Sequence, residues 1–168
     1  MKGRIHLYQG NILDVDCEVI VNAANSSLMG GGGVDGAIHR AAGRDLKDAC
    51  KPLAPCPTGE VRVTEGFGLS PRLIFHTVGP VWRGGDQGEA ELLKACYRHC
   101  LEELVRRDLT SIAFPAISTG VYGYPANEAA GIAVNTCREF ARDHEVKVIL
   151  TAFEDRMATA FEGALDQP

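Results

Sequence analysis

One stretch limits the fold more than any other: Val21-Asn22-Ala23-Ala24-Asn25-Ser26-Ser27-Leu28-Met29-Gly30-Gly31-Gly32-Gly33-Val34-Asp35-Gly36-Ala37-Ile38-His39. An apolar run ends at Val21, two asparagines follow, glycines occupy 30–33, and a helix-like pattern opens at about Asp35. Glycine admits positive φ and lets the backbone come close to a ligand, while a helix start offers unpaired N–H groups and a partial positive charge. A strand, a loop stripped of side chains and a helix start, in that order, predict an anion site for a phosphorylated ligand.

The remainder alternates strand and helix patterns. Residues 4–8 alternate polar and apolar, as suits a strand at or near a sheet edge, and 17–21 form a short apolar run that reads as a buried strand. A helix is predicted from about 35 to 42, ended by Gly43, followed by an irregular link marked by Pro52, Pro55 and Pro57. Strands are predicted at 60–64, 73–78, 111–115 and 146–151. Leu92, Leu93, Cys96, Tyr97, Cys100, Leu101, Leu104 and Val105 recur at three-and-four spacing and predict an amphipathic helix over about 89–107. Further helices are expected from Pro125, which suits a first helical turn, to about Arg142, and at the carboxyl end, where Met157, Phe161, Ala164 and Leu165 share a face. Such alternation predicts an α/β protein with a mainly parallel sheet covered on both sides.

A second glycine-bearing loop, Ala116-Ile117-Ser118-Thr119-Gly120-Val121-Tyr122-Gly123-Tyr124, follows the 111–115 strand. Ligands of parallel sheets collect beyond the carboxyl ends of the strands, so the two loops are placed to hold one pyrophosphate from both sides. Neither 22–38 nor 116–124 carries Lys or Arg, which predicts phosphate binding by main-chain donors and only weak dependence on salt.

The chain has 168 residues, enough for one domain with a real core, and 45% hydrophobic with 23% charged is ordinary for a soluble globular protein. A net charge of −5 and scattered basic residues argue against nucleic acid as the main ligand. The first ten residues lack the apolar core of a signal peptide and no membrane-spanning run is present, so a cytoplasmic location is expected. The six cysteines fit no zinc-knuckle spacing and are expected to be reduced and mostly buried.

Several residues admit both a structural and a functional role. Asp35 can cap its helix, yet a carboxylate beside a pyrophosphate opposes its own ligand unless it handles a water, and a nearby phosphate would make it a better base. Asn22 and Asn25 can satisfy the loop backbone, or one can brace the loop while the other presents its amide to a sugar hydroxyl. Tyr122 can be loop packing or a lid over a sugar. His39 and His76 read as structural. Gly31, Gly33 and Gly36 match a dinucleotide fingerprint, but nine residues separate Val21 from Gly31, and the first acid at a following strand end, Glu65, lies too far on, so a nicotinamide-dependent oxidoreductase fits poorly.

Asn22-Ala23-Ala24-Asn25, the glycine run into Val34-Asp35-Gly36-Ala37-Ile38-His39, the segment His76-Thr77-Val78-Gly79-Pro80, and Pro115-Ala116-Ile117-Ser118-Thr119-Gly120-Val121-Tyr122-Gly123-Tyr124-Pro125 together resemble the macrodomain family. The resemblance is to its MacroD-type branch, with the bacterial O-acetyl-ADP-ribose deacetylases, and extends over nearly the whole chain. It implies a single macrodomain over 1–168, a three-layer α/β/α sandwich with a mixed, largely parallel sheet, and ADP-ribose as the ligand.

Carried over by position, Asn11 and Ile12 would meet the adenine and Phe153 would stack on it. Gly31, Gly32, Gly33 and Val34 would wrap the diphosphate with Ser118, Thr119, Gly120, Val121 and Tyr122, while Asn22 belongs to the same ligand-binding set. Asn25 would hold the distal ribose and Asp35 would be the catalytic carboxylate. The branch uses no metal and no cofactor. Where the family usually has Asp, this chain has Asn11, whose neutral bond to the adenine amine is weaker than a charge-assisted one.

The implied reaction is hydrolysis of an ester on the distal ribose, with Asp35 orienting or deprotonating a water. Expected substrates are O-acetyl-ADP-ribose and mono-ADP-ribosylated proteins linked through acidic side chains. A non-catalytic ADP-ribose reader and an ADP-ribose 1″-phosphate phosphatase are the alternatives.

Overall fold

The computed structural model describes residues 3–168. Six strands, β1 (Arg4–Gln9), β2 (Val19–Ala23), β3 (Val61–Glu65), β4 (Leu73–Thr77), β5 (Ser111–Phe114) and β6 (Lys147–Ala152), form one sheet in the order β1-β6-β5-β2-β4-β3. All neighbours are parallel except β3, which runs antiparallel to β4. The helices are α1 (Gly33–Ala42), α2 (Arg44–Cys50), α3 (Glu89–Arg106), α4 (Ala126–Ala141) and α5 (Asp155–Asp166). This is the mixed, largely parallel α/β/α sandwich expected from the sequence.

Alternation along the strands divides the interior in two. Val19 and Val21 point into a core with α3, α4 and α5, which Phe75, Tyr97, Phe114 and Phe161 fill. Ile20 and Ile74 point to the opposite face, against Leu28, Ile38 and Leu46 of the α1–α2 side. The two patterned strands, β1 and β3, are the sheet edges, because each has only one strand neighbour. Central β2 is buried along most of its length, as its continuous apolar run requires.

Two local expectations are corrected. Cys17 lies before β2, which starts at Val19 and runs on to Ala23; the Cys17 thiol instead turns onto the Val19 carbonyl. The segment after Gly43 is helical as α2, because Gly43 takes a φ of 88°, ends α1 and lets a second helix start at once. All six cysteines are free, and burial pushes the thiols of Cys17, Cys50 and Cys96 up to about 11. Among the described residues no helix is long and apolar enough to cross a membrane.

Gly163 lies within α5, and a Cβ there would meet nothing within 4 Å. Gly163→Ala is therefore expected to raise stability by about 0.5–1 kcal/mol. In a thermal melt this corresponds to a rise of roughly 1–4 °C; a lower Tm would contradict it.

Candidate functional site

The carboxyl ends of β1, β6, β5, β2 and β4 share one edge of the sheet, since these strands are parallel. Both glycine-bearing loops rise from this edge, and β5 and β2, from which they leave, are adjacent.

The first loop enters α1 without a side-chain cap: Gly32 is the N-cap and the first turn bond runs from the Gly36 amide to the Gly32 carbonyl. The amides of Gly33, Val34 and Asp35 therefore precede the helical ladder and stay available to an anion. Asn25 spans the loop, donating from Nδ2 to the Gly30 carbonyl at 3.1 Å and accepting from the Ser27 hydroxyl at 2.6 Å. A Cβ on Gly31 would stand 3.3 Å from Asp35 Oδ2 and 3.5 Å from Asn25 Nδ2. The two predicted catalytic side chains thus converge on the space above Gly31.

Asp35 is only 4% exposed. Its Oδ1 accepts a hydrogen bond from Asn22 Nδ2 at 2.8 Å and lies 3.5 Å from His39 Nε2, one helical turn away. Burial raises its carboxyl above the ordinary range, against the Asn22 hydrogen bond and His39, which both lower it. A carboxylate so placed is held in one orientation and is more basic than a free aspartate, the two properties a general base needs.

Asn22 is wholly buried, and its amide nitrogen reaches both Asp35 and His76 Nδ1, the latter at 3.1 Å. Of the two asparagines, Asn25 braces the loop through the Gly30 carbonyl, and Asn22 holds the carboxylate. His39 and His76, expected to be structural, stand behind this pair: His39 Nε2 lies 3.5 Å from Asp35 Oδ1, and His76 Nδ1 meets Asn22.

The second loop is built to keep its amides free. Ser118, at φ 69°, donates from its hydroxyl to the Pro80 carbonyl at 2.7 Å, and Thr119 donates from Oγ1 to the Ala116 carbonyl. The Tyr124 amide returns to the Ser118 carbonyl, and the Tyr122 carbonyl accepts from the Trp82 amide at 2.8 Å. Among the described residues, the amides of Ser118, Gly120, Val121 and Tyr122 donate to no protein acceptor. Backbone donors gathered at a loop and left unpaired call for an external acceptor. The neighbouring segment that carries Trp82 is fixed in turn by Glu89. Burial would raise the Glu89 carboxyl, but the amides of Arg83, Gly85 and Gln87 donate to it and hold it at about 2.

At the far end of the edge, Phe153 follows β6 and is 80% exposed, a free aromatic face. Asn11 follows the adjacent β1 and caps a single 3-10 turn, its Oδ1 accepting from the Leu13 amide at 2.9 Å. Ile12 buries its side chain in the α1–α2 core. Val121, at the tip of the second loop, is fully exposed.

One residue escaped the sequence reading. Arg156, in the first turn of α5, donates from Nη2 to the Thr119 carbonyl at 2.9 Å. A cation therefore stands against a loop that has none of its own. No spacing connects Arg156 to Thr119, 37 residues away, so only the packing of α5 reveals it.

The Macro domain family model matches residues 21–133. The chain is 50% identical, over 99% of its length and 98% of the relative's, to an O-acetyl-ADP-ribose deacetylase of Escherichia coli. It is 51% identical to a Macro domain-containing protein of Chlorobaculum tepidum, over 96% of this chain and 95% of that one. A solved Oceanobacillus iheyensis macrodomain variant with ADPR bound superposes with a TM-score of 0.94 at 44% identity, covering 98% of this chain and 92% of that chain. A Trypanosoma brucei macrodomain in complex with ADP-ribose gives 0.88 at 40% identity, over 96% of this chain and 68% of that one.

Proposed function

This chain belongs to the Macro domain family, and we propose that it is an ADP-ribose-binding hydrolase that releases acyl or protein groups esterified to the distal ribose. The observation that carries the reading is the pairing of two loops rich in open amides on adjacent strands, with Asp35 and Asn25 converging beside one of them. The relative named as an O-acetyl-ADP-ribose deacetylase and the solved macrodomains holding ADP-ribose support the same ligand.

Strand order supplies the arrangement. Asn11 and Phe153 stand at β1 and β6 and would receive the adenine. The loops after β5 and β2, Ser118–Tyr122 and Gly31–Val34, would hold the diphosphate. Asn25 and Asp35 at the β2 end would then meet the distal ribose. An extended ligand laid along the strand ends thus meets ring-stacking, anion-binding and acid–base groups in the order of its own parts. The sheet being one continuous unit supports a single macrodomain over the chain, and the free thiols fit a cytoplasmic location.

In the proposed reaction, a water between Asp35 and the ester carbonyl attacks the acyl carbon. Asp35 takes its proton, the acyl–oxygen bond to the ribose breaks, and the proton passes to the departing ribose hydroxyl. Asn25 and the loops hold the sugar, and positioning lowers much of the barrier. Acetate release from O-acetyl-ADP-ribose by catalytic amounts of protein tests this. Binding without release would make the chain a reader, and phosphate release from ADP-ribose 1″-phosphate would make it a phosphatase.

Main-chain donors release few counterions, so salt should matter little, and Arg156 is the cation placed against the second loop. Raising salt from 50 to 500 mM is expected to weaken ADP-ribose binding by no more than about fivefold. Arg156→Gln should flatten even that slope, whereas a steep loss in calorimetric titrations across salt would contradict main-chain phosphate binding.

A further inference from the structure

Behind Asp35 a line of buried polar groups crosses the α1–α2 face of the sheet. Asn22 on β2 pairs in register with His76 on β4, and Thr64 on β3 lies diagonally next to His76 across the antiparallel pair. All three are buried where Ile20 and Ile74 form an apolar surface. Polar groups so placed cost stability unless each is satisfied.

We propose that Thr64 and His76 are positioning residues for Asp35: Thr64 fixes the tautomer of His76, and that tautomer fixes the face of the Asn22 amide presented to the carboxylate. This rests on Asp35 being the base of the hydrolysis proposed above.

Donor and acceptor accounting, started from the Asp35 carboxylate, gives one consistent set of bond directions. The Asp35 carboxylate can only accept, so the Asn22 amide nitrogen faces it and its other N–H meets His76 Nδ1; Nε2 then carries the imidazole proton and donates to Thr64 Oγ1, 2.9 Å away, whose own hydrogen is left for the Glu65 carbonyl at 3.1 Å. His76 therefore carries its proton on Nε2 and offers a lone pair at Nδ1. Asn22 Nδ2 donates one hydrogen to that lone pair at 3.1 Å and the other to Asp35 Oδ1 at 2.8 Å. The Asn22 Oδ1 is buried with no partner, so nothing on the oxygen side orients the amide. Its orientation is set by the acceptors at its nitrogen alone.

A proton on Nδ1 instead would face an N–H of Asn22. The amide would turn its oxygen to His76 and bring it against Asp35, replacing a donor with a repelling acceptor. Burial first, then His39, holds His76 neutral at about 3, so the imidazole keeps one proton throughout the working range and only its tautomer is at issue. The other titratable groups nearby are His39, 6.4 Å from His76 between ring centroids, and Cys50, whose sulfur stands 3.9 Å from His76 Nε2 and is a weaker acceptor than Thr64.

Thr64→Val keeps the shape and removes the acceptor; Thr64→Ser restores it. With O-acetyl-ADP-ribose, Thr64→Val is expected to lower kcat about tenfold, to move the acid limb of the kcat/KM profile to higher pH, and to leave ADP-ribose Kd within about twofold. Thr64→Ser should return both toward the parent. Unchanged kcat and an unmoved acid limb in Thr64→Val would overturn the proposal. Long-range nitrogen–proton NMR of His76 gives a readout independent of turnover: the Nε2–H tautomer is expected in the parent and its loss in Thr64→Val. An Nδ1–H tautomer in the parent would overturn the proposal even if the protein hydrolysed nothing. Absence of acetate release by the parent with the Nε2–H tautomer in place would instead count against the hydrolase reading and so against Asp35 as the base being positioned.

Discussion

Asp35→Ala is expected to bind ADP-ribose within about threefold of the parent and to lose at least about 100-fold in turnover, the share a positioned general base commonly supplies. The reason is geometric. The open amides that would hold the diphosphate belong to the main chain of two loops, and removing one carboxylate leaves them in place. Calorimetric titration with ADP-ribose and acetate release from O-acetyl-ADP-ribose, run on the same preparation, check it; full turnover in the variant would remove Asp35 from the reaction.

The same site carries a stability signature. The folded carboxyl of Asp35 is raised, mainly by burial. A raised acid favours the fold below its unfolded value, and that contribution is lost as pH rises through the folded value. Once ionised, Asp35 is thus a burden on the fold. Asp35→Asn, which can still accept from Asn22, should melt no lower than the parent at pH 7 while being inactive, as expected where function opposes stability.

Gly36→Ala should produce the second large effect, on binding. A Cβ at Gly36 would stand 2.3 Å from the Gly31 carbonyl and 3.0 Å from the Arg40 guanidinium. The arginine can swing aside, but the carbonyl belongs to the glycine loop proposed to hold the diphosphate and cannot yield without carrying that loop off α1. Overpacking of this kind costs about 1–3 kcal/mol, or about 5- to 150-fold in Kd if the strain is released on the ligand side. Calorimetry with ADP-ribose reads it, with Gly163→Ala as the helix-glycine control. Parent-like affinity in Gly36→Ala would show that the loop accommodates the methyl elsewhere.

Much of the candidate site was legible in the chain because it is local. The glycine loop, Asn25 and Asp35 lie within eleven residues of one another, and the second loop is one continuous segment. Strand-then-glycine-then-helix patterns are read from neighbours in sequence, and so were the strands β4, β5 and β6. Cys17 and α2 were misjudged for equally local reasons. An apolar residue beside a strand reads as strand, and one glycine in a left-handed conformation can join two helices as readily as end one.

Sequence by itself determined the kinds and order of the elements, the two cation-free loops and the acid beside the first of them, since hydrophobic period and backbone freedom are properties of short stretches. Only the tertiary structure decided which strands are neighbours, and with that everything that depends on register. It set Asn22 beside His76, His76 beside Thr64, and Arg156 against Thr119. Crossover connections and strand pairing are fixed by packing among residues tens of positions apart, and no local pattern encodes which distant donor will find which acceptor.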